Sequence, residues 1–447
     1  MNSLKWILVA IGGILGGVFV LALLVCLLEN RQGRRTWEQV QRDAEAKGIN
    51  LDWKACIPPP VPDNQNFFEA PKMQEWFREN LNPYSNSHTE LWPLSTNREA
   101  ATSITNNTQA ENYLSWSDQF TRQFALIREA LKRPYARISG DYSQPSQIPE
   151  PDFRAFESVS TALAARANCD LLLGKPEAAL EELIFLNHFR QILDYPPSRK
   201  PTTLIIAMVE TDIANSFVKT IVAGQQSHKW NDSQLAPLQL QLQQINLPQR
   251  LVDAIRTRIP WNCYLFATNV IPGLGREPLL QGWTLQNLVT LTRLDEQAIS
   301  AADLSTDTVF PAKLDDFERQ GKEIYRHHTS PGNFLAKIGL LHCEDTWQRI
   351  TFIQTLINEA QIACALERYH ITHDEYPETL DALVPQFIET IPHDIIGGQP
   401  LHYRPTKDGK FLLYSIGWNQ KDDGGQASPK DENGSIVYTN GDWVLGN

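Results

Sequence analysis

With 447 residues the chain is too long for one ordinary core, and two or three domains are expected. Hydrophobic residues at 42% and charged residues at 21% exclude global disorder. A formal net charge of −12 would repel a phosphate backbone and no basic patch offsets it, so no nucleic-acid partner is expected.

The first predicted element is an apolar run of 23 residues, 6–28. As a helix it reaches about 34 Å, enough for the ~30 Å hydrocarbon core of a bilayer. It passes directly into Glu29, Asn30 and Arg31, with no small-residue cleavage site, and reads as an uncleaved single-pass anchor. Lys5 precedes the run and Arg31, Arg34 and Arg35 follow it. Counted strictly, these charges keep the large domain in the cytoplasm. A short tail followed by one long apolar segment instead suits a signal-anchor that exports the remainder, and we read export. Gly12 with Gly16, and Gly13 with Gly17, form overlapping small-residue spacings that allow homodimerisation of the anchor.

Residues 34–48 carry a juxtamembrane helical pattern that Gly48 would stop. The proline-rich segment 57–68 is stiff and extended, a strap that brings Phe67 and Phe68 onto the body. Residues 80–112, rich in Asn, Ser and Thr, read as loop. From Trp116 the pattern turns helical, with Trp116, Phe120, Phe124, Ile127 and Leu131 on one face. Residues 161–193 form the clearest helical hairpin, turned by Gly174 with Pro176 opening the second helix. The hairpin is similar to one tetratricopeptide unit, but no second copy recurs, so a solenoid is not expected. Further helical patterns cover 203–222, 232–245, 279–298 and 311–327, with 269–278 a loop that has no phosphate-binding glycine pattern.

Residues 351–385 carry another long helical pattern, followed by a Pro/Gly turn region, two strand-like runs and the acidic loop WNQKDDGG. From Glu359 to the end there are 14 acidic against 6 basic residues, which places −8 of the −12 in this segment. Asn419, Asp422 and Asp423, with Asp442 further on, are the candidate metal ligands: oxygen donors in a glycine-rich loop of the kind calcium uses. The order of an EF-hand is missing.

Other constellations carry less. Cys26, Cys56, Cys169, Cys263, Cys343 and Cys364 form no CxxC pair and no zinc spacing, and a disulfide framework is not expected. His327-His328 and His342-Cys343-Glu344-Asp345 invite a metal reading, but His342 and Glu344 would diverge on a helix, and these residues read as helix surface or core. His370 and His373 close a helix, where histidine suits the negative end. No nucleophile elbow is present, so no catalytic residue is assigned.

The C-terminal segment resembles the globular part of the major, G-type pseudopilins of type II secretion. The matching residues are Ala365-Leu366-Glu367, Tyr369, Tyr376-Pro377, Leu380, Leu383-Val384, Asp394, Pro400, Tyr403-Arg404, Tyr414-Ser415, Gly417 and Gly424-Gly425. The resemblance implies a helix packed on antiparallel strands and a calcium site after the YSxG strand. Here Asn419 stands where that family carries an acid, and Asp442 takes the place of the second acidic ligand. The anchor lies more than 300 residues upstream of the segment, without a prepilin-peptidase signal, so filament assembly is not expected. Over its whole length the chain also resembles a group of uncharacterised membrane-anchored proteins of planctomycete and verrucomicrobial bacteria. The resemblance rests on Trp37, the proline strap, the Ala-rich hairpin and the two C-terminal stretches, and it implies no activity.

The expected fold is mainly α: a transmembrane helix (6–28), a juxtamembrane and irregular segment (29–112), a helical bundle (113–350) and a small α+β module (351–447). The expected function is a non-enzymatic scaffold in the bacterial inner membrane, with its bulk in the periplasm and an envelope protein as partner. The alternatives are an envelope hydrolase, with His370, His373 and the loop carboxylates between bundle and module, and a calcium-responsive binding protein.

Overall fold

One uninterrupted helix, α1 (Asn2–Ala46), opens the chain. It carries the apolar run and the juxtamembrane segment together, where the sequence suggests two elements. In this computed structural model residues 2–78, 90–194, 202–267, 279–339, 343–432 and 434–446 are described. Gly48, at φ +68°, ends the helix: its N–H donates to Glu45 O (3.0 Å) and that of Ile49 to Ala44 O (2.8 Å). This is the left-handed stop that glycine permits at little cost.

The later helices follow their caps. Asn106 accepts from Gln109 N to open α2 (Asn107–Ser117), and α3 (Thr121–Ala130) follows after a 3-10 turn. Asp152 caps α4 (Phe153–Leu172), and Gly174 (φ +70°) turns the chain into α5 (Pro176–Gln191). Thr203 caps α6 (Leu204–Gln226), and a reciprocal Asn231–Gln234 box caps α7 (Asp232–Gln243). Then come α8 (Leu247–Ala267), α9 (Gln281–Ser300), a two-stranded ladder of β1 (Ala302–Asp303) and β2 (Thr308–Val309), and α10 (Pro311–Arg326). The last helix is α11 (Glu344–His373). A three-stranded antiparallel sheet closes the chain in the order β3 (His402–Pro405), β4 (Phe411–Ser415), β5 (Trp443–Val444), with Tyr414 opposite both His402 and Val444.

The chain is thus mainly helical, with a long apolar N-terminal helix and small antiparallel sheets later in the sequence. It divides into two compact units, both discontinuous. The first comprises Met1–Cys56, Ile255–Ser300 and Ala312–His342; the second comprises Ile57–Ala254, Ala301–Pro311 and Cys343–Asn447. Residues 113–350 therefore contribute to both units.

In the first unit α1 packs along α9. The two helices meet at Gly33 and Gly282, where a Cβ on either would fall 2.4 Å from backbone of the other helix. Polar pairs fix the register. Asn30 Oδ1 accepts from Gly282 N (2.5 Å), Arg34 donates to Gln281 (2.7 Å), and Lys47 pairs with Glu296 (2.5 Å). Between residues 11 and 28, by contrast, most of the large apolar side chains are exposed, Phe19 by 64% and Leu28 by 67%.

In the second unit α11 is the core element. Side chains from Trp347 to Leu366 are buried nearly without interruption, the polar Gln348, Thr351, Gln354, Thr355, Glu359 and Gln361 among them, so the helix is covered almost all round. It packs against α6, α7, β4 and β5. Ile362, Ala365 and Leu366 meet Leu383, Phe387, Leu401 and Leu413 in one cluster. Phe67 and Phe68 of the proline strap are buried, as the sequence implies.

Some expectations need correction. Residues 92–96, 98–102 and 107–117 are helical, although their composition suggests loop; Ala110 and Tyr113 pack on Ala165 and Cys169 of α4, and that burial outweighs a polar composition. The final long helix begins at Glu344 and ends at His373, with Asp374 in the left-handed conformation (φ +63°), so residues 374–385 are not part of it. The strand β5 has no counterpart in the sequence reading, and the helix α8, which contains Pro260, falls within the expected bundle without being singled out. Residues 269–278 and His342 lie outside the described residues.

Candidate functional site

The helix α6 ends in the same backbone turn as α1 and α4, but with a histidine where those helices have glycine. His228 has φ +48°; its N–H donates to Gln225 O (2.9 Å) and that of Lys229 to Gly224 O (2.9 Å). A side chain held there costs about 1–3 kcal/mol of backbone strain, so its position is over-determined by other contacts. The contact is on α11: His228 Nδ1 lies 2.6 Å from Oε1 of the buried Glu367. The Tyr376 hydroxyl donates to the other carboxylate oxygen at 2.8 Å. With Nδ1 facing Glu367, Nε2 is the ring nitrogen on the side away from that carboxylate. Burial first, then the Glu367 carboxylate, pushes the Tyr376 phenol upward, so it stays a donor.

These groups line a cleft of 390 Å³ whose apolar wall comes from Val222, Ala363, Phe411, Leu413, Val444 and Leu445, with Lys410 among its polar lining. His370 stacks on Tyr376 (4.6 Å between ring centroids) and its ring lies 6.0 Å from that of His228. Its Nδ1 is buried and has no hydrogen-bond partner among the described residues. His373 does not join the cleft; it stacks on Tyr369 (4.0 Å) and its Nδ1 meets Tyr369 O (3.0 Å), closing α11. His228 is missing from the sequence reading because it is 139 residues from Glu367, and a lone histidine after a helix carries no local signal. Among the described residues no hydroxyl or thiol is hydrogen-bonded to His228.

The predicted calcium residues lie near the end of β4 and are held by one another and by backbone. Asp442 is fully buried and accepts from Asp423 N (3.1 Å) and Gly425 N (2.7 Å). Asp422 accepts from Gly424 N (2.8 Å) and the Tyr414 hydroxyl (3.0 Å), which hold its carboxyl below the usual range. Asn419 donates to Asp423 (3.0 Å) and accepts from Lys421 N (2.9 Å). Among the described residues no group of three or more His, Cys, Asp and Glu side chains could hold a metal ion. His327 and His328 are exposed. Asp442 braces the loop, and Asp442→Asn, which replaces a charged acceptor of two N–H groups, is expected to cost about 1–3 kcal/mol in chemical denaturation. Melting the full chain in millimolar calcium and in chelator is expected to give equal midpoints, because the carboxylates already have donors. A higher midpoint with calcium would identify the loop as a cation site.

A second acidic pair is deeper. Glu359 of α11 is wholly buried, and among the described residues neither carboxyl oxygen has a well-formed hydrogen bond, the Ser415 backbone being the donor that faces it. Asp394, also buried, accepts from Ser415 Oγ (2.8 Å), Ile396 N (2.9 Å) and Ile416 N (3.2 Å). Burial and the neighbouring Asp394 push the Glu359 carboxyl well above its usual range, against a weaker opposing pull from the Ser415 backbone. Burial also raises Asp394, and its hydrogen bonds only partly offset the effect.

Compared with protein-family models, curated proteins and solved structures, the chain gives no match.

Proposed function

We propose that the protein is a single-pass, membrane-anchored envelope protein that serves as a scaffold for a partner and is not a catalyst. The observation that carries this reading is the continuity of α1. Its apolar half is exposed, its second half packs on α9, and no break separates the two. Such a helix suits retention in a bilayer better than cleavage, which needs an extended small-residue site. The export of the body to the periplasmic side of a bacterial inner membrane is supported by the resemblance of the C-terminal segment to pseudopilins. The open faces of Gly12, Gly13, Gly16 and Gly17, with nothing within 4 Å of an added Cβ, support pairing of two anchors.

The full-length chain is expected to stay in the membrane pellet after alkaline carbonate extraction and to become soluble when residues 2–28 are removed. A full-length chain released by carbonate would overturn the anchor. A reporter fused after Asn447 reads the side, and a cytoplasmic signal would overturn export. Crosslinking in intact membranes should capture an envelope protein on the full chain; capture of none would remove the scaffold role.

The His228–Glu367 pair favours one second reading, an envelope hydrolase acting at the cleft. That reading requires turnover of envelope material by the full chain that is lost in His228→Gln. Equal, background turnover by both proteins leaves the scaffold reading standing.

A further inference from the structure

The first unit contains a cavity of 580 Å³ that neither the anchor nor the scaffold reading uses. Most of its lining is aromatic and aliphatic, with Trp37, Trp53, Tyr264, Phe266, Leu285 and Leu288, and Gln41, Asp52, Gln281 and Thr284 are its polar groups. Trp261 sets its ring edge-on to Trp53 at 6.0 Å, fixing that wall. Cys263 adds a neutral thiol, since burial pushes it up to about 12.

The position of the cavity along α1 singles it out. Gln281 belongs to its lining and accepts from Arg34, and the next residue, Gly282, abuts Asn30 and Gly33. These α1 residues lie two to six positions past Leu28, which is about 3–9 Å along a helix. The headgroup layer on each side of a bilayer is of similar depth, roughly 5–8 Å. The lower lip of the cavity therefore sits at headgroup level when residues 6–28 span the hydrocarbon. Trp37 continues the lining one to two turns further up the same helix. Arg31, Arg34 and Arg35 are exposed at the level of the lip, where an anionic headgroup would be attracted.

We propose that this cavity takes an acyl chain of an anionic membrane phospholipid, drawn up beside α1 from the adjoining leaflet. The proposal rests on the anchored reading of α1. It assigns the aromatic wall to the hydrocarbon chain, a use to which amphipathic Trp and Tyr rings at an interface are suited. The three arginines take the headgroup.

The test reconstitutes the full-length chain in vesicles containing phosphatidylglycerol with a photoreactive diazirine at the end of one acyl chain. After irradiation, crosslinked residues are mapped by mass spectrometry. The expected result is labelling on the cavity wall, at Trp37, Tyr264 or Leu285, in addition to labelling within 6–28. Leu285→Trp, which fills the cavity, should reduce the wall labelling severalfold and leave that of 6–28 unchanged. Leu285→Ala, which keeps the cavity open, should label like the wild type. Labelling confined to 6–28 overturns the acyl site and leaves the anchor standing. Labelling of neither segment overturns both. Wall labelling that persists in Leu285→Trp places the lipid outside the cavity and overturns the proposal.

Discussion

Replacing Glu210 by alanine is expected to destabilise the protein by roughly 3–5 kcal/mol, the usual cost of breaking a buried ion pair from one side. Glu210 lies on α6, 1% exposed, and joins two arginines. Arg190 of α5 pairs with one carboxylate oxygen and Arg250 of α8 donates to the other at 3.0 Å. Arg250 keeps Asp194 (2.7 Å) and Leu193 O (3.2 Å) without Glu210. Among the described residues Arg190 keeps only the Asn187 amide oxygen (2.9 Å) and is itself 2% exposed, so most of the penalty is its uncompensated charge. Chemical denaturation of the full chain measures the loss. Combining Glu210→Leu with Arg190→Met should recover most of it, because an apolar pair of similar volume needs no counter-charge. A loss below about 1 kcal/mol for Glu210→Ala would mean that water reaches Arg190.

The second large effect is one of pH. Glu359 holds its proton more tightly in the folded chain than in the unfolded chain, where the ordinary value is 4.5. Between 4.5 and the raised folded value the native state binds the extra proton. Stability therefore falls as pH rises through that window, by up to about 1.4 kcal/mol per unit for one group. Below the unfolded value the penalty vanishes. Asp394 contributes in the same direction, since its carboxyl is also raised. Glu359→Gln keeps the shape and removes the ionisation. The variant and the wild type should have similar stability near pH 4 and diverge as the pH is raised, with the variant more stable at pH 8. Denaturation midpoints across that range test the prediction. Parallel pH profiles would show that Glu359 titrates normally and is hydrated.

Much of the architecture was legible in the sequence because it is written locally. The hairpin α4–α5 is fixed by Gly174 and Pro176, and the stop of α1 by Gly48. The sheet β3–β4 follows from a strand pattern on either side of the 406–410 turn. Where local signals conflicted with burial, burial won: polar composition hid the helix at 107–117. The candidate sites divide in the same way. The acidic loop was visible as a cluster, but whether its carboxylates face a cation or N–H donors depends on backbone that the cluster does not encode. Asp442 turned out to be fully buried beneath its own loop. His228, Glu367 and Tyr376 meet only because α6 ends beside α11.

The sequence by itself determined that the chain is mainly helical, begins with an apolar helix long enough to cross a bilayer, and ends in a strand-bearing segment rich in acid. These properties depend on composition and on periodicities of a few residues, which neighbours along the chain enforce. Only the tertiary structure decided that α11 is the core of the second unit, that Glu359 is buried beside Asp394, and that a histidine in a left-handed turn is held by Glu367. It also decided that α1 runs unbroken into a packed helix beside an aromatic cavity. Burial and pairing of this kind join residues more than a hundred positions apart, and they take the desolvation cost of a charge from its surroundings in space.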